Sequence, residues 1–313
     1  MKHTQIVTAG ITIIGLLMAG GCSCSQVAVK QIIFSPIKTN EIKAMTFNVR
    51  VDTPLDVFNR WPQRKEAVID TIADHAADVV GLQETLNHQV TDISRSLPQY
   101  SYYSVGRNDG QLDGESCAIF FRRSRYTLRD SGTFWFSDAP DKPGSKGWGN
   151  LWPRICSWVR LEQIDTGRCF YVYNVHLACL SQQSRERSVC LLTEKIARRK
   201  NADPFIVMGD FNMKLNNPAM KYLHEAGRIN PRVQMQDAWL SLNPKSSGTG
   251  TKIDHIPLSR ELRALDISID KRKVNGRHPS DHFPVIASIQ ISQPAYTKAD
   301  IRNSAKQSPE KLL

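Results

Sequence analysis

Val207-Met208-Gly209-Asp210-Phe211-Asn212 is an apolar run that meets a glycine and then sets an acid and an amide two residues apart. Alternate side chains of an extended chain share a face, so Asp210 and Asn212 are presented together at a strand end. The device recurs. Tyr173-Asn174-Val175-His176 puts Asn174 and His176 on one face, Val79-Val80-Gly81-Leu82-Gln83-Glu84 ends a strand on a carboxylate, and Met45-Thr46-Phe47-Asn48 ends another on an amide. Near the C-terminus, Ile253-Asp254-His255 and Ser280-Asp281-His282 each precede a further strand. Singly these are ordinary features: an Asp-x-Asn after glycine is usually a turn, a strand-terminal Glu is solvated, and a strand histidine is a hydrogen-bonded core group. Jointly they describe converging strand ends that gather carboxylates, amide oxygens and imidazoles, a set suited to a hard cation and a phosphate.

Outward from these ends, the segments from Glu41 to Val51, Asp78 to Glu84, Ser116 to Arg122, Ile155 to Gln163, Arg168 to Leu177, Pro204 to Asp210 and Phe283 to Ile291 are rich in Val, Ile, Phe and Tyr and read as strands. Apolar residues at helical spacing fill Trp61 to Ala76, Leu86 to Leu97, Ser181 to Arg199 and Asn217 to Ala226, with Pro62 early in the first. Asp165-Thr166-Gly167 reads as the turn of an antiparallel hairpin, and Arg122-Arg123-Ser124-Arg125 as an exposed hairpin turn. A mixed sheet covered by helices fits this order.

The 313 residues carry 41 Lys and Arg against 30 Asp and Glu, a net charge of +11, and 41% are hydrophobic, which excludes the disordered and collagen-like classes. With 18 Gly, 16 Pro and no low-complexity block there is little material for a linker, so one large domain is expected. The basic balance favours anionic ligands weakly. At the N-terminus a short basic start, an apolar stretch from Ile6 to Met18 and Ala19-Gly20-Gly21-Cys22 have the layout of a signal peptide too short to span a bilayer. The run into Cys22 resembles a bacterial lipobox, although Ala19 stands where leucine is more usual; an uncleaved anchor or an ordinary secretory signal are the alternatives. The division that follows is a lipoprotein-type signal peptide with its lipidation site over 1–24, a tether over 25–40, a folded domain over 41–292 and a disordered tail over 293–313. The protein would then be an exported lipoprotein of a bacterial envelope, held to the membrane by lipid alone, monomeric and without an obligate protein partner. Cys117, Cys156, Cys169, Cys179 and Cys190 show no zinc spacing and read as core residues rather than a disulfide framework.

Six motifs in order, Thr46-Phe47-Asn48, Gly81-Leu82-Gln83-Glu84, Asn174-Val175-His176-Leu177, Gly209-Asp210-Phe211-Asn212, Ile253-Asp254-His255-Ile256 and Ser280-Asp281-His282-Phe283-Pro284, resemble the endonuclease/exonuclease/phosphatase superfamily of metal-dependent phosphoesterases. The flanking Gly106-Arg107-Asn108-Asp109-Gly110, Gly114-Glu115 and Pro153-Arg154-Ile155 resemble an exported bacterial branch of it. The resemblance implies a four-layer αββα sandwich of the DNase I type, an α/β (α+β) fold in which two mixed, mostly antiparallel sheets lie face to face with helices outside. It implies that Glu84, with Asn48 nearby and Asp281 as a further ligand, holds Mg²⁺ or Mn²⁺. Asp210 would position or deprotonate water and Asn212 would fix that geometry. His176 and His282 would donate to phosphoryl oxygens, with Asp254 orienting His282. The pattern departs from the branch at Ala178-Cys179, where an Asp-His pair is found in some members, and at the short Gly248-Thr249-Gly250-Thr251 stretch.

Candidate substrate contacts are Asn174, Arg107 and Arg154, the last the best of four arginines that include Arg185 and Arg277, because guanidinium matches phosphate oxygens. Trp135, Trp148, Trp152 and Trp158 could stack rings, though core packing is the commoner fate. Nucleic acid and small phosphate esters are both open as substrates, and no contiguous basic stripe with interleaved aromatics points to a long polyanion. A catalytically inactive binding lipoprotein of the same fold is the alternative, against which the intact motif set argues.

Overall fold

The computed structural model describes residues 40–246 and 252–291. The signal segment with Cys22, nearly all of the 25–40 tether, the Gly248-Thr249-Gly250-Thr251 stretch and the 293–313 tail lie outside the described residues. The chain lays down β1 (Glu41–Asn48), β2 (Val79–Thr85), β3 (Tyr100–Tyr103) and β4 (Ser116–Arg122) in one sheet. It crosses to a second for β5 (Tyr126–Trp135), β6 (Ile155–Gln163), β7 (Cys169–His176), β8 (Phe205–Asp210), β9 (Met235–Asp237), β10 (Asp254–His255) and β11 (Pro257–Ser259). It then returns to the first for β12 (Leu262–Ile269) and β13 (Val285–Ile291). The first sheet runs β12-β13-β1-β2-β4-β3; the second runs β5-β6-β7-β8-β11-β9, with β10 beside β8. Among the described residues only β1 with β2 and β7 with β8 pair in parallel, each joined by a helix as such a crossover requires.

Helix α1 (Trp61–His75) carries Pro62 in its first turn and stops where Ala76 turns left-handed, and α2 (Asn87–Ser96) follows β2. Helix α3 (Gln182–Ala197) is capped by the Ser181 hydroxyl, which accepts from Ser184 N at 3.1 Å. Helix α4 (Pro218–Ile229) is capped likewise by Asn217, and the short α5 (Ala238–Leu242) by Asp237. Trp61, Val68, Ile69 and Ile72 of α1 pack on Met45, Phe47, Val80 and Leu82 of the first sheet. Val189, Leu192 and Ile196 of α3 with Met220 and Leu223 of α4 pack on Tyr171, Tyr173, Val175 and Val207 of the second. Between the sheets, Ile42, Ala44, Val79 and Ile119 meet Val159, Leu161, Val172, Ile206 and Met208. The order is helix, sheet, sheet, helix, as the resemblance implies.

One polar group interrupts that inner layer. Asn174 is fully buried, donates from Nδ2 to Leu82 O and Ala118 O at 2.9 Å each, and accepts from Gln83 Nε2 at 2.6 Å. Its carbonyl partners lie where the β2–β4 ladder shifts register between Leu82 and Thr85, so the amide bonds the backbone where pairing is irregular. Asn174 is thus a tie between sheets, and the substrate contact expected of it is corrected: no atom of it reaches solvent. The sheets come close enough here to require glycine, since a Cβ on Gly81 would meet Met208 Sδ at 2.6 Å.

Two smaller expectations also change. The turn after β4 is there, but it joins two sheets, and Arg125 is buried against Asp78 rather than exposed. Of the five body cysteines, all free, Cys117 and Cys156 are core residues while Cys179 and Cys190 are exposed.

Asp237 links α5 to the sheet. It is fully buried, accepts from Trp239 N at 2.9 Å and Ile256 N at 3.3 Å, and lies 3.4 Å from His255 Nδ1 and 3.8 Å from Lys252 Nζ. Burial would raise its carboxyl, but Lys252 and His255 outweigh it and hold the group below the usual range. A carboxylate depressed in the folded state contributes stability that is present above its unfolded value, about 4, and is lost as pH falls further. Melting temperature should therefore drop steeply below pH 4, and in Asp237→Asn it should start lower at pH 7 and fall less steeply; parallel curves for the two proteins would refute this assignment.

Candidate active site

Strand register assembles the site. His176 at the end of β7 lies opposite Asp210 at the end of β8, and Asp254 of β10 lies opposite Asp210 on the other side. Three adjacent strands of the second sheet thus set His176, Asp210 and Asp254 in a row. The first sheet contributes Asn48 from the end of β1, Glu84 from β2, and Asp281 and His282 from the approach to β13. Gly209 permits the join: its φ is 146°, and a Cβ there would fall 2.1 Å from Val175 O. Glu84 and Asn212 sit at φ 60° and 51°. Asn tolerates that left-handed region, but for Glu it is strained by about 1–3 kcal/mol, held only because the surroundings over-determine it.

Asp210 is the hub, 1% exposed. Its Oδ2 accepts from Asn48 Nδ2 at 3.1 Å and lies 3.6 Å from His176 Nε2 and 3.8 Å from His282 Nε2; its Oδ1 accepts from Asn212 N at 2.8 Å. Asn48 Nδ2 also donates to Glu84 Oε1 at 3.0 Å, and Val51 N to Glu84 Oε2 at 2.9 Å. His282 Nδ1 is bonded to Asp254 Oδ2 at 2.9 Å, and Asn212 Nδ2 donates to Leu177 O at 3.0 Å. Both the Asn48–Asp210 and the His282–Asp254 bonds cross between the sheets.

Environment separates the protonation states. Burial, then the charge of Asp254, raises the Asp210 carboxyl, giving it the affinity for a proton that a base near neutral pH needs. Burial works against the His282 cation, but the hydrogen bond and charge of Asp254 prevail and push it up to about 9. His176 goes the other way: burial, then Arg154, Arg107 and His282, hold it well below the usual imidazole range. One imidazole is therefore charged and the other neutral.

Two arginines back His176. Arg107 is buried and donates from both terminal nitrogens to Glu115 at 2.7 Å, while Glu115 Oε2 lies 3.9 Å from His176 Nδ1. Arg154 is also buried, with its Nη1 unpartnered. A match to the endonuclease/exonuclease/phosphatase family model covers residues 45–282.

The chain belongs to the endonuclease/exonuclease/phosphatase family. Its fold is similar to that of the endonuclease/exonuclease/phosphatase of Bacteroides vulgatus, at 30% identity over 80% of this chain and 99% of that one, with a TM-score of 0.72. It is likewise similar to the mannosyl-6-phosphatase of Bacteroides thetaiotaomicron, at 32% identity over 79% of this chain and 99% of that one, TM-score 0.70. Among curated proteins it is similar to the CCR4-Not complex 3'-5'-exoribonuclease subunit Ccr4 of Neosartorya fischeri, 26% identical over 45% of this chain. That match spans only 22% of the longer relative.

Within this endonuclease/exonuclease/phosphatase domain, the residues expected from the motifs converge, with two adjustments. Asn48 turns its NH₂ toward the carboxylates while its Oδ1 accepts from Arg50 N at 2.9 Å, so it offers its oxygen to a cation only by turning over and giving up that bond. Asp281 is drawn aside by Arg50, 3.1 Å from its Oδ2, and reaches a shared cation only by releasing it. The remaining donors fit a divalent ion by their chemistry. Glu84, Asp210 and Asp254 are hard oxygen ligands, Asp254 Oδ1 is buried without a hydrogen-bond partner, and Asp210, Asp254 and His282 offer ligand atoms within 4.8 Å of one another. His282 occupies only Asp254 Oδ2, so Asp254 Oδ1 stays free for an ion, while Glu84, beside Asp210 on the shared Asn48 amide, would meet it by exchanging its bonds to Asn48 and Val51 N.

Sequence reasoning missed Arg64. It is buried and donates to the carbonyls of Val49, Arg50 and Asn59, fastening the loop after β1. The signal was present: Arg64 falls on the α1 stripe of Trp61, Val68 and Ile72, where a charged residue needs a buried purpose.

Proposed function

We propose that this protein is an exported phosphoester hydrolase of the endonuclease/exonuclease/phosphatase family that uses Mg²⁺ or Mn²⁺ and acts on small phosphate esters, anchored to the bacterial envelope as a monomer through lipid on Cys22. The observation that carries it is the convergence on Asp210 Oδ2 of Asn48, His176 and His282, each from a separate segment of the chain. A binding module has no need of a buried carboxylate with raised proton affinity beside a charged imidazole.

In this reading Asp210 orients the attacking water and takes its proton as the water oxygen bonds to phosphorus and the bond to the leaving oxygen breaks; the proton is then available to the leaving alkoxide. The Asn212 backbone N–H fixes the Asp210 carboxylate, while its side-chain amide ties the turn to Leu177 O. His282, kept protonated and aimed by Asp254, and His176, through its N–H, donate to the phosphoryl oxygens as charge builds. Glu84 would hold the divalent cation, which when bound would supply Lewis-acid stabilisation of the charge developing on the phosphoryl group.

A small ester is favoured over a polymer because most cationic side chains at the site are spent: Arg50 on Asp56 and Asp281, Arg107 on Glu115, and Arg64 on backbone carbonyls. A long polyanion needs several free phosphate contacts. The name of the Bacteroides thetaiotaomicron relative, a mannosyl-6-phosphatase, agrees with this preference.

The test is hydrolysis of a panel of sugar phosphates, bis-p-nitrophenyl phosphate, RNA and plasmid DNA. EDTA should abolish turnover and Mg²⁺ or Mn²⁺ restore it, and Glu84→Gln should weaken cation binding in calorimetry by about 10-fold or more without changing the circular dichroism spectrum. Turnover indifferent to EDTA would overturn the metal-dependent reading.

A further inference from the structure

The long hairpin connection between β5 and β6, residues 136–154, ends at the site. Because β6 pairs antiparallel with β7, with Cys156 opposite Val175, the start of β6 lies next to the end of β7 and delivers Arg154 beside His176. Arg154 bounds two small cavities. One, of about 10 Å³, it shares with Arg107, Glu115 and His176; the other, of about 20 Å³, with Leu151, Trp152, Cys179 and Leu180.

Two features of this corner serve no structural need. Arg154 is 7% exposed, its Nη1 has no hydrogen-bond partner, and its Nη2 reaches only Cys179 Sγ at 3.8 Å. Its neighbour Arg107 gives both terminal nitrogens to Glu115 and keeps only Nε unpartnered, so its charge is paired. Glu115 feels the charge of Arg154 across their shared cavity but is held by Arg107, and a buried guanidinium without a direct ion pair is costly unless an anion completes it. Trp152 is the second feature. Of the six tryptophans it is the one left half exposed, at 51%, with Leu151 at 63% and Leu180 at 78% beside it. An exposed ring and two exposed leucines around one cavity leave apolar surface in water at the edge of a reaction site.

We infer that Trp152 and Arg154 are the substrate-selecting corner of this site: Arg154 binds a terminal phosphate, and Trp152 stacks the ring that carries it, so the substrate is a sugar phosphate monoester. The inference rests on the phosphoesterase reading. A terminal phosphate has three non-bridging oxygens, and His282, His176 and Arg154 are three donors to meet them; a diester has one fewer. A monoester also carries close to two charges at neutral pH, which raises the return on a buried guanidinium. Trp152 offers a flat apolar face to the C–H face of a sugar, and the half-buried setting keeps that face fixed.

The experiment compares the full-length chain and its Trp152→Ala, Arg154→Ala and Arg154→Lys variants on a hexose 6-phosphate, glycerol phosphate and bis-p-nitrophenyl phosphate, with Mg²⁺ or Mn²⁺. Trp152→Ala removes an exposed ring and leaves folding intact. It should lower kcat/KM for the hexose phosphate about 10-fold, through KM, and change glycerol phosphate less than about 2-fold. Arg154→Ala should lower both monoesters about 30-fold with the diester within about 3-fold, and Arg154→Lys should recover part of the loss. Wild-type preference for the diester, or equal losses on all three substrates, would overturn the inference while leaving the hydrolase reading in place. Absence of turnover by the wild type on every ester would overturn the hydrolase reading and the inference with it.

Discussion

Asp210→Asn lowers kcat/KM by about 10³-fold or more and leaves the protein folded. The substitution keeps the shape of the side chain, and its Oδ1 can still accept from Asn212 N, so the backbone turn is retained. What is lost is the ability to take a proton, together with the negative charge that faces His176 at 3.6 Å and His282 at 3.8 Å. The new amide also sets an NH₂ against the NH₂ of Asn48, replacing an attraction with a mismatch at the centre of the site. Steady-state kinetics beside a thermal melt reads both effects. A variant with rates within 10-fold of wild type would remove Asp210 from the chemistry, because general-base catalysis alone is worth about 10²–10⁴-fold.

Asn174→Ala should be the most damaging of the non-catalytic changes, costing about 2–4 kcal/mol of stability through buried groups left without partners. Leu82 O and Ala118 O lose a donor at the last regular pair before their strands shift register, and Gln83 Nε2 loses its shortest bond, keeping Thr46 Oγ1 at 3.0 Å and Gly81 O at 3.2 Å. A cavity is left between sheets that Gly81 has already brought close. Against a typical total of about 5–15 kcal/mol the loss is large, and denaturant titration measures it directly. A midpoint unchanged from wild type would mean that water or a shifted Gln83 replaces the amide.

The strands legible in the sequence are the well-buried ones. Ser116–Arg122 and Ile155–Gln163 match the structure residue for residue, the first as a nearly continuous buried run and the second as an alternation that sets Trp158, Arg160 and Glu162 on the less buried face. The strands not read are edges or short pieces. In Tyr126–Trp135 the middle residues from Thr127 to Arg129 face solvent, and Leu262–Ile269 alternates through Arg263, Asp266 and Ser268 at the rim. Such segments form by pairing with a neighbour, a cause that lies outside their own residues. The site was legible in its reactive groups, since strand-terminal Asp, Glu and His have little other reason to follow apolar runs. Its supports were not. Glu115 fixes Arg107, and Arg50 diverts Asp281, through contacts set by chain crossings that no local spacing encodes.

The candidate catalytic cluster straddles a seam. His176, Asp210 and Asp254 ride on one sheet; Asn48, Glu84 and His282 ride on or beside the other, joined across the gap by Asn48 to Asp210 and His282 to Asp254. A slip of one sheet against the other by the length of a hydrogen bond would leave every strand intact and dismantle the reaction centre. Catalytic competence is in that sense a gauge of alignment between two slabs, and the Asn174 tie that resists their sliding guards the rate from a position where it never meets the substrate.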